Sequence, residues 1–277
     1  MKRHLLIAAI LCTILTTPAA RGQFYIGLHG GVTLPQGYYA ESQMSDNSWM
    51  FTQGNQHNAG AGTGWGAGLD ISFAMPFHPS LELAINADYL HNVMSRDVRE
   101  YYDIRYAQRF SQCSFYEMEL PEYTNIPIMA GIRYAYPIAA VVDLYGEAMA
   151  GANIRKISTW SLVYAEANWM PGDGQSFDDY NNSNIKTYAD YTTFAFRLGA
   201  GFLIKKAVTV GAAFVMLGKS PLVWDESETV HYNIYGAIQE ISNTRHVDYY
   251  PINPTMVYIN LGFRLNPFKG ARHVQDW

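Results

Sequence analysis

Cysteine is almost missing from this chain: Cys12 and Cys113 are the two in 277 residues. Cys12 falls in an N-terminal stretch that reads as an export leader, so a mature chain would keep Cys113 alone and could form no intrachain disulfide. Neither cysteines nor histidines fall at zinc-ligand spacing, and nothing resembles a phosphate-binding loop. Charge is sparse, at 16% of residues, and positive charge is the scarcer sign. Loss of Lys2, Arg3 and Arg21 with the leader lowers the 19 basic residues by three, to 16, against 24 acidic ones. A nucleic-acid partner needs a basic stripe, and this balance excludes one. Beyond the leader there is no run of about 18 apolar residues, so no transmembrane helix is expected.

Lys2, Arg3 and His4 form a basic start, and Leu5 to Thr17 form an apolar core of about 13 residues, the length of a secretory leader. Ala20-Arg21-Gly22 supplies small residues for cleavage, which sets the expected mature start at Gln23. Leu11 stands where a lipoprotein would carry a small residue before Cys12, so no lipid anchor is expected. The expected organisation is a signal peptide over 1–22, one β-domain over 23–266, and a short tail over 267–277.

Hydrophobic residues make up 49% of the chain, yet they come in alternation. In the segment Val257 to Leu265, Val257, Ile259, Leu261, Phe263 and Leu265 form one face, and Tyr258, Asn260, Gly262 and Arg264 form the other. Successive strand side chains point to opposite faces, so this is a strand with one apolar and one polar side. The same pattern recurs in segments beginning near Phe24, Trp65, Leu81, Ile126, Val142, Phe194 and Val208, giving eight strands. Each has about the 9–11 residues that a tilted strand needs to cross a bilayer. Phe77 to Ser80, Pro137 to Ala140 and Lys205-Lys206 are short connections. They alternate with long ones: Pro35 to Thr63, Asn92 to Glu122, Arg155 to Thr192 and Gly218 to Pro254. The expected fold is therefore all-β: an eight-stranded antiparallel transmembrane β-barrel with short periplasmic turns and four long extracellular loops. Lipid demands closure, because an open edge leaves N–H and C=O groups unpaired. The outer membrane is the expected location, with its lipid and lipopolysaccharide as surroundings. A soluble barrel would expose Trp65, Phe73, Phe194, Phe196, Phe202 and Phe263 to water.

In this register Asp70, Glu82, Asp88, Asp143, Glu147, Arg133, Arg197 and Arg264 point inward, with His29 beside them, while Gly199, Gly201, Gly211 and Gly262 leave them room. A charge in a narrow barrel needs a partner. The expectation is a polar lumen plugged by ion pairs, with a narrow passive pore as the alternative. The long loops carry Trp49, Tyr101, Trp160, Trp169, Trp224 and Tyr232. Their flat rings suit a glycan or a protein partner. Other roles for them are the membrane-interface girdle and a cap packed over the barrel. Catalysis is the third class. His78-Pro79-Ser80 falls in a periplasmic turn, and His231, His246, Ser227, Ser242 and Glu228 match no nucleophile–base spacing, so neither an enzyme nor a cofactor is expected. Asp173, Asp178, Asp179, Asn181, Asn182 and Asn184 offer oxygens suited to Ca²⁺ without EF-hand spacing, and no metal is expected.

The segment Tyr123-Thr124-Asn125-Ile126-Pro127-Ile128-Met129-Ala130-Gly131-Ile132-Arg133-Tyr134 resembles a signature of the PorT-like outer-membrane β-barrel family of Bacteroidota. That signature runs from Tyr through a polar residue and Ile-Pro to an apolar run ending in a basic residue and Tyr. Asn125 stands where the family more often has Glu. The first strand from Ile26 to Val32, the stretch Tyr145 to Gly151 and the terminal Ile259 to Phe263 are similar in pattern. The resemblance implies a small eight-stranded barrel without cofactor or catalytic residues. The family's founding member is tied to type IX secretion, which would make a subunit of an outer-membrane assembly a further role.

Overall fold

The structure, a computed structural model, describes residues 24–40, 59–100, 103, 113–169, 177–232 and 237–267. The expected leader and cleavage site, and nearly all of the expected tail, lie outside these residues. Eight strands form the barrel: β1 (Phe24–Pro35), β2 (Ala61–Met75), β3 (His78–Met94), β5 (Tyr123–Ala139), β6 (Val142–Ile157), β9 (Tyr191–Ile204), β10 (Val208–Met216) and β13 (Thr255–Leu265). Their order is β1-β13-β10-β9-β6-β5-β3-β2, closed by pairing of β1 with β2, and every ladder is antiparallel.

The register fixes the barrel's dimensions. A hydrogen-bonded row runs from Val208 through Phe263, Leu28, Leu69, Ala87, Ile128 and Ala152 to Phe194. Val208 itself pairs with Ile204 on β9, so the row returns to that strand ten residues away. For eight strands this stagger corresponds to a tilt of about 40° and an interior just wide enough for side chains to fill. Side chains on this row and on parallel rows of the same face compose an apolar outer wall. Leu28 is 66% exposed, Phe194 56% and Leu261 61%, with Ile85, Ile132 and Phe202 also exposed.

The strands run further than the alternation indicates, because the short connections are tighter. The turns are at Pro76-Phe77, at Ala140-Val141 and at Lys205 to Ala207. Pro79 and Pro137 therefore lie inside strands, near their ends, where a missing N–H costs the ladder little. Lys205 and Lys206 have φ of 51° and 56°, the paired left-handed conformation whose twist suits a tight hairpin turn, here lengthened by Ala207 before Val208 pairs with Ile204. At the other end β6 continues to Ile157, which brings Arg155 into the barrel wall rather than a loop.

Three of the long connections are themselves sheet. β4 (Cys113–Glu119), β7 (Trp160–Trp169), β8 (Phe177–Tyr188), β11 (Ser220–Tyr232) and β12 (Ala237–Ile252) form a second, five-stranded sheet in the order β12-β11-β8-β7-β4. The hairpin β7-β8 rises directly from β6 and β9, and β11-β12 rises from β10 and β13. The oxygen-rich run from Asp178 to Asn184 lies in β8 rather than in an irregular loop.

The lumen is stratified. Its turn half holds Asp70, Glu82, Asp88, Arg133, Glu147, Arg197 and Arg264, all buried. Above them Leu90, Met129, Met149, Val215, Met256 and Tyr258 fill the section with apolar bulk, each 2% exposed or less. This apolar packing continues without a break into the second sheet through Leu217, Leu222, Trp160, Leu162 and Trp224. The ion-pair network anticipated from the alternation is thus confined to half the barrel, while Asn92, Asn125, Asn153 and Arg155 lie buried among the apolar side chains of the other half. A large apolar side chain at an inward site reads in sequence like an outward one displaced by a residue, which hides the second stratum.

Candidate functional site

The charged stratum is one connected network. Arg133, on β5, donates from Nη1 and Nη2 to the two oxygens of Asp70 at 3.0 Å each, the bidentate fork that suits guanidinium and carboxylate. Its Nε and Nη2 donate to Glu147 Oε2 at 3.0 and 2.8 Å. Glu147 spends its other oxygen on Arg197 Nε at 2.8 Å, and Arg197 Nη1 reaches Asp88 Oδ2 at 2.9 Å. Asp88 Oδ1 lies 2.6 Å from His29 Nε2. On the other side Arg133 Nη1 approaches Glu82 at 3.6 Å, and Glu82 is held by Arg264 Nη2 at 2.8 and 2.9 Å. Ser72 Oγ accepts from the same nitrogen at 2.7 Å.

Register makes this network. Glu82 and Glu147 are the direct cross-strand partners of Arg133 on either side, so opposite charges sit on adjacent strands at adjacent levels. Small residues face the large ones. Asp88 pairs with Gly68 and Glu147 with Gly199. A Cβ on Gly68 would lie 2.1 Å from Asp88 Oδ1, and one on Gly199 would lie 2.8 Å from Glu147 Oε1. Aromatic faces cover the guanidiniums: Tyr145 at 5.4 Å from Arg133, Tyr258 at 5.7 Å from Arg197 and Tyr25 at 4.5 Å from Arg264. Three guanidiniums therefore meet four carboxylates with nearly every oxygen engaged, which is the condition under which buried charge is tolerated.

Asp143 stands apart from this network. It is half-buried at the turn end, where it lines a cavity of about 100 Å³ with Ser80, Glu82, Lys206 and Arg264. A second cavity of about 20 Å³ lies deeper, between Asp70, Arg133, Arg197 and Arg264, and has room for about one water. Arg264 borders both and divides them. Ser72, Tyr145 and Tyr258 complete the site without standing out in sequence, since a Ser or Tyr on the wetter face of a strand is ordinary.

The loop aromatics divide differently. Trp160 and Trp224 are each 5% exposed, buried in the core of the second sheet, and so are not free faces for a ligand. Lys186 Nζ sits between them, 5.1 Å from the Trp160 ring and 5.9 Å from that of Trp224. It also lies 3.4 Å from Glu226. His246 stacks on Trp224 at 5.1 Å and meets Glu226 at 2.7 Å. These rings pack the cap because alternate residues of β7 and β11 turn toward the barrel. Trp169 and Tyr232 end β7 and β11, their side chains outside the described residues, as are Trp49 and Tyr101 altogether.

Comparison with family models finds no match, and comparison with curated protein sequences finds none either. Among solved structures the chain is similar to Neisserial surface protein A, with 11% identity and a TM-score of 0.41 over 88% of this chain and 96% of that one. It is also similar to the outer membrane protein OprG from Pseudomonas aeruginosa, with 11% identity and a TM-score of 0.37 over 89% and 98% of the two chains. A major outer membrane protein from Thermus thermophilus shows 8% identity and a TM-score of 0.36 over 87% and 99%. At such identities nothing about chemistry transfers.

Proposed function

We propose that this protein is an integral outer-membrane β-barrel with a sealed lumen, whose working surface is the five-stranded sheet raised above the barrel on the extracellular side. The apolar wall supports the membrane setting, because a continuous band of exposed Leu, Ile and Phe around a closed barrel is satisfied by lipid and not by water. The three tight turns then face the periplasm and the long connections the outside. The observation that carries the sealed lumen is the pair of stacked strata. Guanidinium–carboxylate bonds close the periplasmic half, and Leu90, Met129, Met149, Met256 and Tyr258 close the half above it. Neither stratum arranges a nucleophile with a base. The role is accordingly non-enzymatic: envelope structure, or recognition of a protein or glycan by the raised sheet. A place in a secretion assembly is the narrower form of this reading, and rests on the resemblance of Tyr123 to Tyr134 to the PorT-like signature.

Single-channel recording from the refolded barrel in a planar bilayer tests the seal, with insertion checked by the heat-sensitive gel mobility of the folded form. The wild type and a variant with Arg133, Arg197 and Arg264 all changed to Gln are both expected to be silent, because the apolar stratum remains in each. Steady current steps from the wild type would overturn the sealed lumen. Steps confined to the variant would assign the seal to the charges alone and favour a gated pore.

A further inference from the structure

Arg155 is a buried guanidinium that no carboxylate meets among the described residues. It is 3% exposed, near the extracellular end of β6, where the barrel meets the raised sheet. Its hydrogen bonds are long ones to backbone carbonyls, from Nη1 to Ile252 at 3.5 Å and from Nη2 to Pro221 at 3.3 Å. Among the described residues no Asp or Glu pairs with it. That contrasts with Arg133, Arg197 and Arg264, each of which meets at least one carboxylate at 3.0 Å or less. A buried charge left without a counter-charge is strongly destabilising, so the site calls for an anion.

The surroundings of Arg155 are polar and half-used. Asn125 is its direct partner across the ladder, and the Asn125 side chain hydrogen-bonds the Tyr39 phenol. Ser220 Oγ, next to the Pro221 that Arg155 touches, is buried and unpartnered. Burial pushes the Tyr39 phenol up, against the opposing pull of Arg155 and of the Asn125 hydrogen bond, so it stays neutral and keeps its O–H to donate. The acceptor side is also open. Asn153 Nδ2 donates to Asn125 Oδ1 at 3.1 Å and Asn92 Nδ2 to Thr33 Oγ1 at 2.8 Å, while Asn153 Oδ1 and Asn92 Oδ1 have no partner. Buried polar groups are nearly always hydrogen-bonded, and here three unsatisfied ones, Ser220 Oγ, Asn92 Oδ1 and Asn153 Oδ1, lie in the same half of the lumen as an uncompensated cation.

We propose that this stratum is a binding site for a small monovalent anion, a carboxylate, held by Arg155 with donors from Asn125, Tyr39 and Ser220. The planar fork of the guanidinium matches a carboxylate in two parallel hydrogen bonds. With one cation in the site, a single negative charge is the balanced ligand, and a phosphate dianion is not. The open Asn92 and Asn153 oxygens take hydroxyl or N–H groups of a larger carboxylate, or water around a smaller one. The raised sheet lies directly over the site, since both carbonyls that touch Arg155 belong to the base of the β11-β12 hairpin. An occupant therefore ties that hairpin to the barrel.

The test is isothermal titration of the full-length barrel, refolded in detergent, with sodium formate as the probe and sodium chloride as a parallel titrant. Saturable one-site binding of formate is expected, weakened at least tenfold in Arg155→Gln and several-fold in Tyr39→Phe. Arg245→Gln, on the exposed face of β12, is expected to bind as the wild type does. No saturable heat from formate with the wild type would overturn the site, as would unchanged binding in Arg155→Gln. Binding of chloride but not formate would overturn the carboxylate assignment. Tyr39→Phe keeps the guanidinium and loses one hydroxyl, so it reads the site even where Arg155→Gln fails to fold.

Discussion

The two halves of the lumen solve the same packing problem with opposite chemistry. In the periplasmic half the strands carry carboxylates and guanidiniums at facing positions, and the barrel interior is filled by bonds between neighbouring strands. In the extracellular half the inward positions include Leu90, Met129, Met149, Val215 and Met256 beside the buried Asn92, Asn125, Asn153 and Arg155, and the apolar core is shared with the second sheet. The first half would be complete if the loops were cut away. The second would not, because Leu222, Trp160 and Trp224 of the raised sheet belong to the same apolar cluster. Charge thus makes the lower barrel self-sufficient, and apolar burial makes the upper barrel and the cap one unit.

The largest effect is expected where charge would be orphaned. Glu147→Gln removes the carboxylate that both Arg133 and Arg197 bind and leaves two buried guanidiniums short of a partner. The expected loss is about 3–5 kcal/mol, read as a fall in the urea midpoint for unfolding in lipid vesicles. Protease sensitivity of the raised sheet in the folded protein should not change, since the cap does not rest on this stratum. A smaller loss, about 3 kcal/mol, is expected for Leu90→Ala, which opens a cavity at a site with no exposure. Here the cap should respond, with faster cleavage within residues 160–188 and 220–252. Equal cap protection in the two variants would break the distinction between the halves.

The strands and their inward charges were legible because a membrane barrel writes its two faces at a period of two, and Phe194 to Ile204 or Val257 to Leu265 leave no other reading. The pairs were not. Arg133 opposes Glu147 through the hairpin that turns at Ala140-Val141, while it opposes Glu82 across β3 and β5, whose long connection leaves no register to read in the sequence. Pro79 and Pro137 pulled the expected turns into the strands. The second sheet was illegible for a different reason. β8 carries Asn181-Asn182-Ser183-Asn184, with no apolar alternation to announce a strand, and it is held by its neighbours β7 and β11 rather than by a face of its own. Trp160 and Trp224 looked like surface aromatics because their burial depends on that pairing. Arg155 was hidden by a strand that ran past its expected end.

The smallest expected effect is the sharpest test of the contrast. Leu222 is 2% exposed at the foot of the raised sheet. Glu147 pairs with Gly199, which pairs with Ala213, nine residues before Leu222 along a mostly extended chain, a separation of about 25 Å. Sites this far apart without shared partners lose stability additively to within about 0.5 kcal/mol. The double variant Glu147→Gln with Leu222→Ala should therefore unfold at the free energy given by adding the two single losses. Leu90→Ala with Leu222→Ala should not, because both side chains belong to one continuous core and the second truncation relaxes into space the first has opened. A cycle in which the cross-half pair couples as strongly as the same-half pair would mean that the charges also hold the cap. The lumen would then be one cooperative plug from turn to loop, and the two strata a difference of composition alone.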